Sequence, residues 1–484
     1  MTDHSGDTAA TLGGTIETRS IDYVPEDERH GKVRDQGPFW FVGNFQPFTV
    51  AIGFVGPALG LSLGWTVVAG ILGIFFGTLF MAFHASQGPV LGLPQMVQSR
   101  AQFGYRGVVL ALIGTLFTYV GFNVVDVVII KAGLHSIFGW NAAIIAVVIT
   151  AVATLLAIYG HDLLHLSFRV LFWLSLPLWA ILTWGVVFGH AGGGDAGAAT
   201  GGFTLLAFIA QFSVAASYNI TYAPYVSDYS RYLPRNTRTS AIVSAVFLGA
   251  SASPVWLIPV GAWMATRLGA TDALAGIHDA GNSVVPFLGS VLALVATLVL
   301  VATMGLNAYS GMLTVITGID SFRKVTPSRR IRVVTVLALA AVWLVLSLLF
   351  TDSTTVLNTT LLIMLYLLVP WTAVNLTDFF FVRRGHYAIT DLFTPDGLYG
   401  MWSWRGMTAF FAGIVASVPF MVLPFYVGPI AAALGEVDVA FAVGLAVSGI
   451  VYWVLSRSLD LDTEERFIED SEAALAGEET PAHG

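Results

Sequence analysis

Long apolar runs separated by short polar segments fill most of the chain between residues 39 and 456. A helix needs about 20 apolar residues to cross the hydrocarbon core of a bilayer, and twelve runs are long enough. These runs, called spans one to twelve, lie approximately at 39–63, 65–86, 107–131, 140–159, 165–189, 203–226, 239–266, 284–317, 331–350, 355–382, 406–430 and 436–456. The pattern predicts an all-α integral membrane protein with twelve transmembrane helices.

The composition agrees with a membrane protein and excludes several kinds of chemistry. Of 484 residues, 56% are hydrophobic and 11% charged, whereas soluble domains average about 25% charged residues. Cysteine is absent, which excludes disulfides, thiolate metal sites and cysteine nucleophiles. The net charge of -8 argues against binding nucleic acid. The spans contain no convergent nucleophile or metal cluster, so we predict neither an enzyme nor a cofactor.

The distribution of basic residues predicts an orientation. Lysine and arginine in short loops are retained in the cytoplasm. With the N-terminus inside, all but Lys131 and Arg267 of the 22 lysines and arginines fall on the inner side. We therefore expect a cytoplasmic N-terminal tail (1–38), a transmembrane domain (39–456) and a cytoplasmic acidic tail (457–484), solvated and flexible, in a protein of the plasma membrane.

Two spans carry residues that break helices at mid-membrane. Span one contains "AIGFVGPALG" at Ala51–Gly60 and span six contains "YAPYVSD" at Tyr222–Asp228. Transporters are often built from inverted repeats whose first helices are discontinuous, and a glycine-rich loop at Gly189–Gly202 separates five spans from seven. The predicted units are repeat one at 39–189, repeat two at 203–382, and two extra helices at 406–456. Simple proline or glycine kinks are the alternative.

Polar side chains inside the spans suggest a ligand. A broken helix exposes backbone groups, which is tolerated in lipid where the break lines a cavity. Asn123, Asn219 and Asn307 offer amides, while Tyr119 and Tyr218 offer flat rings with a polar tip. This inventory suits a small, planar, uncharged heterocycle. The alternative is that the amides hold neighbouring helices together.

Two further residues are candidates for coupling to a cation. Asp126 is an acid inside span three and is a candidate proton carrier, or it pairs with Lys131 or an adjacent helix. Thr303 in span eight could join backbone carbonyls of span one in holding a hard cation, which prefers oxygen ligands. Alternatively, its hydroxyl bonds back to its own helix.

Four segments together resemble the nucleobase:cation symporter-1 family, which contains cytosine, purine, allantoin and hydantoin permeases. They are "SRAQFGYRG" (Ser99–Gly107), "SDYSRYLP" (Ser227–Pro234), "LNAYSG" (Leu306–Gly311) and "PWTAVNLTDFFFVRRGHY" (Pro370–Tyr387). The resemblance covers essentially all twelve spans. It implies the LeuT-type fold, a five-plus-five inverted repeat with discontinuous helices one and six, two additional helices and alternating access.

The resemblance also implies roles for individual residues. The substrate-facing residues would be Ala51, Gly53, Tyr119, Asn123, Ser217, Tyr218, Asn219 and Asn307. Val50 and Thr303 would serve the cation. Separately from the resemblance, the bias of basic residues places Asp228 and Arg231 at the cytoplasmic exit, where we expect the inner gate. A tryptophan frequent in relatives near Tyr218 is missing. Sodium-binding members have two adjacent hydroxyls in span eight, where this chain has Ala302 and Thr303, so weight shifts toward a proton.

The expected function is secondary active import of a nucleobase, cytosine or a purine, by proton or sodium symport. A permease for a ureide or hydantoin such as allantoin is the alternative within the transporter class. A receptor without flux, or a channel, is a more remote one. The expected partners are the substrate and the lipid bilayer, with no obligatory protein partner.

Overall fold

A computed structural model describes residues 21–189, 191, 201–326 and 328–479. The start of the N-terminal tail, most of the glycine-rich loop and residues 480–484 lie outside this part. The α-helices are α1 Val33–Asn44, α2 Pro47–Ile52, α3 Val55–Ala58, α4 Leu63–Ala85, α5 Gln87–Leu91, α6 Gln95–Gln98, α7 Arg100–Phe103, α8 Val109–Phe138, α9 Ala142–Tyr159, α10 His161–Val187, α11 Leu205–Ile220, α12 Ala223–Ser230, α13 Thr239–Trp263, α14 Ala273–Val284, α15 Leu288–Asp320, α16 Arg329–Leu349, α17 Ser353–Thr377, α18 Trp404–Ser417, α19 Pro429–Ala433, α20 Ala440–Ser456 and α21 Leu461–Glu479.

Shorter elements connect or extend these helices. Helices α13 and α17 continue into single π-helical turns at Met264–Leu268 and Asp378–Val382. Three 3-10 turns lie at Glu26–Glu28, Thr390–Phe393 and Val418–Phe420. Strands β1 Val422–Leu423 and β2 Tyr426–Val427 form an antiparallel hairpin.

Spans two to ten are each long and apolar enough to cross a membrane. Within the described residues nine such helical stretches occur. The number is ten if α20 and α21, which meet at an angle of 91°, count as one span. The stretches are Leu63–Leu91, Val109–Phe138, Ala142–Tyr159, Asp162–Val187, Leu205–Ser230, Thr239–Leu268, Leu288–Asp320, Arg329–Leu349 and Thr354–Val382. The total of twelve stays a prediction.

The predicted span eleven differs from the structure. Its helix α18 ends at Ser417, and the hairpin β1–β2 occupies residues expected to be helical. Pro419 and Pro424 explain the difference, because each lacks the backbone N–H that a helix needs and clashes with the preceding turn. A hydropathy pattern counts these prolines as part of an apolar run, because it takes no account of the backbone N–H groups that they lack.

Spans one and six are both discontinuous. In span one, the helix stops at Asn44, restarts at Pro47 and is interrupted again at Gly53, where α2 ends. In span six, α11 ends at Ile220 and α12 begins at Ala223. The breaks at Gly53 and before Ala223 lie in or beside the predicted segments, whereas the break between Asn44 and Pro47 is an additional one.

Glycines allow the broken spans to pack closely against spans two and seven. A Cβ on Gly77 of α4 would lie 2.1 Å from the carbonyl oxygen of Ala216 in α11. A Cβ on Gly261 of α13 would lie 2.0 Å from the carbonyl oxygen of Val50 in α2. Such distances are far inside van der Waals contact, so only glycine fits. These contacts set the depth and rotation of both breaks.

The expectation of a flexible acidic C-terminal tail is wrong for residues 461–479, which form α21. Arg383 donates from Nε and Nη2 to the two carboxylate oxygens of Glu464, each at 2.8 Å. The backbone N–H of Thr390 donates to Ser471 Oγ at 3.1 Å. Glu464 and Ser471 are buried, so one face of this charged helix is docked on the protein rather than solvated.

Candidate functional site

Aromatic rings fill the place where the breaks of spans one and six meet span three. Phe48 of α2 stacks on Tyr218 of α11, with ring centroids 5.1 Å apart and planes inclined by 12°. Phe122 of α8 stacks on Tyr222 at 5.5 Å and 18°. All four side chains are buried. Tyr222 lies in the break of span six, and the two stacked pairs join spans one, three and six through buried ring faces.

Tyr119 lies at the edge of this aromatic cluster. Its hydroxyl donates to the carbonyl oxygen of Pro224 at 3.2 Å. Its ring meets that of Tyr225 edge to face, with centroids 4.5 Å apart. Span three is therefore bound to the first turn of α12, directly after the break of span six.

The structure brings Asn123 and Asn307 into direct contact. Asn307 Nδ2 donates to Asn123 Oδ1 at 2.8 Å, and Asn123 Nδ2 donates to the carbonyl oxygen of Met304 at 3.2 Å. Both side chains are fully buried. The Oδ1 atom of Asn307 accepts no hydrogen bond from any described residue. Asn123 thus fixes the position of the Asn307 amide, and Asn307 keeps one acceptor oxygen without a partner among the described residues.

Gln46 joins the site although it is not among the residues predicted to face a substrate. Its Nε2 donates to the hydroxyl oxygen of Tyr218 at 3.0 Å, and the Thr49 hydroxyl lies 2.9 Å from the same oxygen. Gln46 Oε1 is buried with no partner in the described part of the chain. A sequence signal exists, since Gln46 is a polar residue inside an apolar run and precedes Pro47, which restarts the helix.

Of the three consecutive residues predicted in span six, only Tyr218 joins the aromatic cluster. Asn219 donates to Thr78 Oγ1 at 2.6 Å and to the carbonyl oxygen of Ala250 at 3.0 Å, and it accepts from Asn44 at 2.8 Å. Its amide therefore connects spans one, two and seven, which was the alternative interpretation for such amides.

Ser217 also points away from the cluster, and its hydroxyl donates to the carbonyl oxygen of Leu361 in span ten. Successive residues of an α-helix point about 100° apart. Ser217, Tyr218 and Asn219 consequently face three different neighbours and do not form one ligand surface.

The span-one residues predicted for substrate lie against protein in this structure. A Cβ on Gly53 would be 2.4 Å from the carbonyl oxygen of Ile258 in α13, so this position serves helix packing. Ala51 lines a small crevice with Phe54, Ile129 and other residues from the start of α14 and α17.

The two groups predicted to hold a cation each make one hydrogen bond to a residue of the same span. The carbonyl of Val50 accepts from the backbone N–H of Gly53 at 2.9 Å. The Thr303 hydroxyl donates to the carbonyl oxygen of Val299 at 3.0 Å, as its alternative interpretation stated. Among the described residues there is also no group of three or more histidines or acids that could hold a metal ion.

Asp126 is buried one helical turn beyond Phe122 on α8. Its Oδ1 accepts no hydrogen bond within the described ranges. Lys131 does not pair with it. The Lys131 ammonium instead donates to the carbonyl oxygens of Ser347 and Phe350, at 2.5 and 2.8 Å, at the end of span nine. Pairing of Asp126 with Lys131, one of the alternatives, is therefore wrong.

The two predicted gate residues lie at the far end of α12. The backbone N–H of Gln95, at the start of α6, donates to Asp228 Oδ1 at 3.0 Å. Arg231 is fully buried and its Nη2 donates to the Tyr232 hydroxyl at 3.1 Å. The Gln95 side chain continues the contact by donating to Gln87 Oε1 at 2.8 Å. This end of span six is thus tied to the connection between spans two and three.

The segments that carry the family resemblance before span three and at span ten meet in a second buried polar cluster. Gln102 Nε2 donates to Asp378 Oδ2 at 2.6 Å, and Arg383 Nη1 donates to Asp378 Oδ1 at 2.7 Å. Trp371 Nε1 donates to Ser99 Oγ at 3.0 Å. The most recognisable residues of the sequence therefore hold the ends of helices together, away from the aromatic cluster.

Broken helices that converge on a buried polar and aromatic site define a multi-pass membrane transporter. Residues 23–444 match the model of a family described as permease for cytosine/purines, uracil, thiamine, allantoin. The chain is 36% identical over 449 residues to YxlA of Bacillus subtilis, a candidate purine-cytosine permease, covering 91% of this chain and 96% of that protein. It is 25% identical over 464 residues to the purine-cytosine permease fcyB of Emericella nidulans, covering 91% and 88%. The chain belongs to this permease family.

Solved structures confirm the fold class. Mhp1, a nucleobase-cation-symport-1 family transporter, in a closed conformation with bromovinylhydantoin bound, matches with a TM-score of 0.72 at 18% identity, over 94% of this chain and all of that one. The inward-facing conformation of Mhp1 gives a TM-score of 0.66. The fold is therefore the expected LeuT type, and the protein is a permease and not an enzyme.

Proposed function

We propose that the protein imports a nucleobase, cytosine or a purine, by symport with a cation and alternating access. The observation that carries this proposal is the pairing of flat aromatic faces with two amide oxygens that have no partner among the described residues, where the broken spans meet. The names of the two relatives, both purine-cytosine permeases, point to the same substrates.

The substrate ring would be buried against the aromatic cluster, and its N–H groups would bond to the oxygens of Gln46 and Asn307. An unpaired polar atom in a buried site costs about 1–3 kcal/mol, so a ligand that supplies N–H donors to both oxygens gains affinity there. Stacking on Tyr218 or Tyr222 adds apolar burial without requiring a net charge. A nucleobase meets both requirements.

For the coupling ion we propose a proton carried by Asp126. This acid is buried one helical turn from Phe122 of the aromatic cluster, whereas span eight has Ala302 beside Thr303 and so offers one hydroxyl where sodium-binding members have two. Coupling requires that the ion favours one conformational state over the other. Protonation of Asp126 would do so by removing a charge from a desolvated place. Sodium symport is the alternative, because the Thr303 hydroxyl only donates its hydrogen and the Val50 carbonyl accepts one bond, so both oxygens keep a lone pair for an ion.

We further propose that both termini are cytoplasmic in the plasma membrane, following the bias of the basic residues. In this orientation Asp228 and Arg231 lie on the side of release. The contact between Asp228 and the N–H of Gln95 would then have to change when the inner path opens, since it joins span six to the connection between spans two and three.

Uptake and counterflow in proteoliposomes test the proposal. Labelled cytosine or adenine should accumulate under an inward proton gradient without sodium, and preloaded unlabelled substrate should accelerate the uptake. Asn307→Ala should lose uptake while remaining folded, whereas Thr118→Ala, whose hydroxyl bonds only within its own helix, serves as the matched control. Competition by allantoin but by no nucleobase would favour the ureide alternative. Binding without counterflow would contradict transport.

A further inference from the structure

The amide of Asn307 is held in one orientation by a chain of hydrogen bonds that ends on a backbone carbonyl. The carbonyl of Met304 can only accept, so Asn123 must present its NH2 group to it, at 3.2 Å. Asn123 Oδ1 then faces Asn307, which must in turn present its own NH2, at 2.8 Å. The Oδ1 atom of Asn307 is therefore directed away from Asn123, and no described residue donates a hydrogen bond to it.

A second chain holds Gln46 in the same manner. The carbonyl of Asn44 can only accept, and it takes the single hydroxyl hydrogen of Thr49 at 2.5 Å. The Tyr218 hydroxyl, 2.9 Å from Thr49 Oγ, must then give its hydrogen to that oxygen. The lone pairs of Tyr218 accept from Gln46 Nε2 at 3.0 Å. Gln46 Oε1 is left buried, again with no donor in the described part of the chain.

A free Asn or Gln side chain can turn by half a rotation and offer NH2 in place of its oxygen. Neither amide can do so here, because turning would place two oxygens, or two NH2 groups, against each other in a buried site. Each chain ends on a carbonyl that cannot change its role. Both amide oxygens consequently remain acceptors, one on span one and one on span eight.

We propose that Thr49 and Asn123 are specificity-determining positioning residues that make this carrier select nucleobases with an amino group over their oxo counterparts. The inference rests on the proposed function. Cytosine and uracil have nearly the same shape, as do adenine and hypoxanthine, and each pair differs by NH2 against C=O. An oxo group facing a tethered amide oxygen brings two acceptors together and leaves both unpaired, whereas an amino group donates to it.

Competition with matched pairs is the first test. Inhibition of labelled adenine uptake is measured in proteoliposomes for cytosine against uracil and for adenine against hypoxanthine. We expect the amino member to bind about tenfold tighter or more in each pair, because the oxo member leaves a buried polar group unpaired. Equal affinities within the pairs would overturn the inference.

Variants of the positioning residues Thr49 and Asn123 are the second test. Thr49→Val keeps the shape and removes the hydroxyl, so Tyr218 can donate to Gln46 Oε1 and the amide can turn. We expect the ratio of affinities within a pair to fall by about threefold or more, and Thr49→Ser to keep the wild-type ratio. Asn123→Ala should lower the ratio in the same way by releasing Asn307.

A purely structural role gives a different result, because it would weaken both members of a pair equally and leave the ratio unchanged. An unchanged ratio in Thr49→Val and Asn123→Ala would therefore overturn the inference while leaving nucleobase transport intact. Absence of uptake and competition for every nucleobase in the wild-type protein would instead overturn the proposed function. Thr118→Ala, whose hydroxyl bonds to the carbonyl of Gly114 in its own helix, should keep the wild-type ratio.

Discussion

Asp378→Asn should destabilise the protein strongly although it changes the side chain by only one group. Asp378 is fully buried at the end of span ten. Its Oδ1 accepts from Arg383 Nη1 at 2.7 Å and from the Tyr452 hydroxyl at 2.9 Å. Its Oδ2 accepts from Gln102 Nε2 at 2.6 Å and from the Tyr387 hydroxyl at 2.8 Å. A carboxylate accepts from all four, whereas an amide keeps one oxygen and turns an NH2 group toward two donors.

The magnitude follows from these contacts. Each donor left unpaired in a buried site costs about 1–3 kcal/mol, and removing the charge also takes from Arg383 one of its two anionic partners. Breaking a buried ion pair by changing one partner costs about 3–5 kcal/mol. The two figures describe overlapping losses and are not added, so the expected loss is about 3–5 kcal/mol. Glu464 still pairs with Arg383 and limits the effect.

The assay is thermal unfolding of the detergent-solubilised protein, followed by loss of its monodisperse peak. The matched control is Glu472→Gln. Glu472 pairs with Arg235 at 2.6 Å, but the two side chains are 52% and 45% exposed, and an exposed pair contributes about 0–1 kcal/mol. Asp378→Asn should unfold at a clearly lower temperature than Glu472→Gln. Equal midpoints for the two variants would refute the reasoning from burial.

Three further outcomes are expected. Gly261→Ala should abolish folded protein, because its Cβ would lie 2.0 Å from a carbonyl of span one, while Gly64→Ala, with open space around it, should keep wild-type abundance. Asn219→Ala should reduce the free energy of unfolding by about 1–3 kcal/mol, measured as a lower unfolding temperature, without changing the substrate affinity of the folded fraction. A changed affinity would place Asn219 in the substrate site. The Thr355 hydroxyl holds the pKa of the helix-capping Asp352 below its usual range. The cap therefore stabilises above about pH 4 and is lost as the pH falls through the lowered pKa, so unfolding curves of Asp352→Ala and wild type should converge in acid.

Much of the fold could be predicted because the length of an apolar run is a local property. Spans two to ten follow from it directly, since a bilayer of fixed thickness requires a helix of fixed length. The same reasoning fails after Ser417, where prolines interrupt an apolar run, and for residues 461–479, where acidic side chains indicate a solvated tail. Glu464 is ordered by Arg383, 81 residues away, and no local pattern contains that pairing.

The candidate site divides in the same way. The residue types, amides and tyrosines near two breaks, are visible in the sequence and indicate a planar heterocycle. Which of Ser217, Tyr218 and Asn219 faces that heterocycle depends on the rotation of α11 about its axis. The glycines of span two set this rotation by contact with the α11 backbone.

The sequence alone determined the class of protein, spans two to ten and the kinds of side chain available inside the spans. Only the tertiary structure decided that Gln46 joins the site, through a hydroxyl 172 residues away, and that Asn123 of span three holds Asn307 of span eight. The physical reason is that hydrophobic length is carried by consecutive residues, whereas the direction of a hydrogen bond is settled by whichever groups the packing brings within 3 Å.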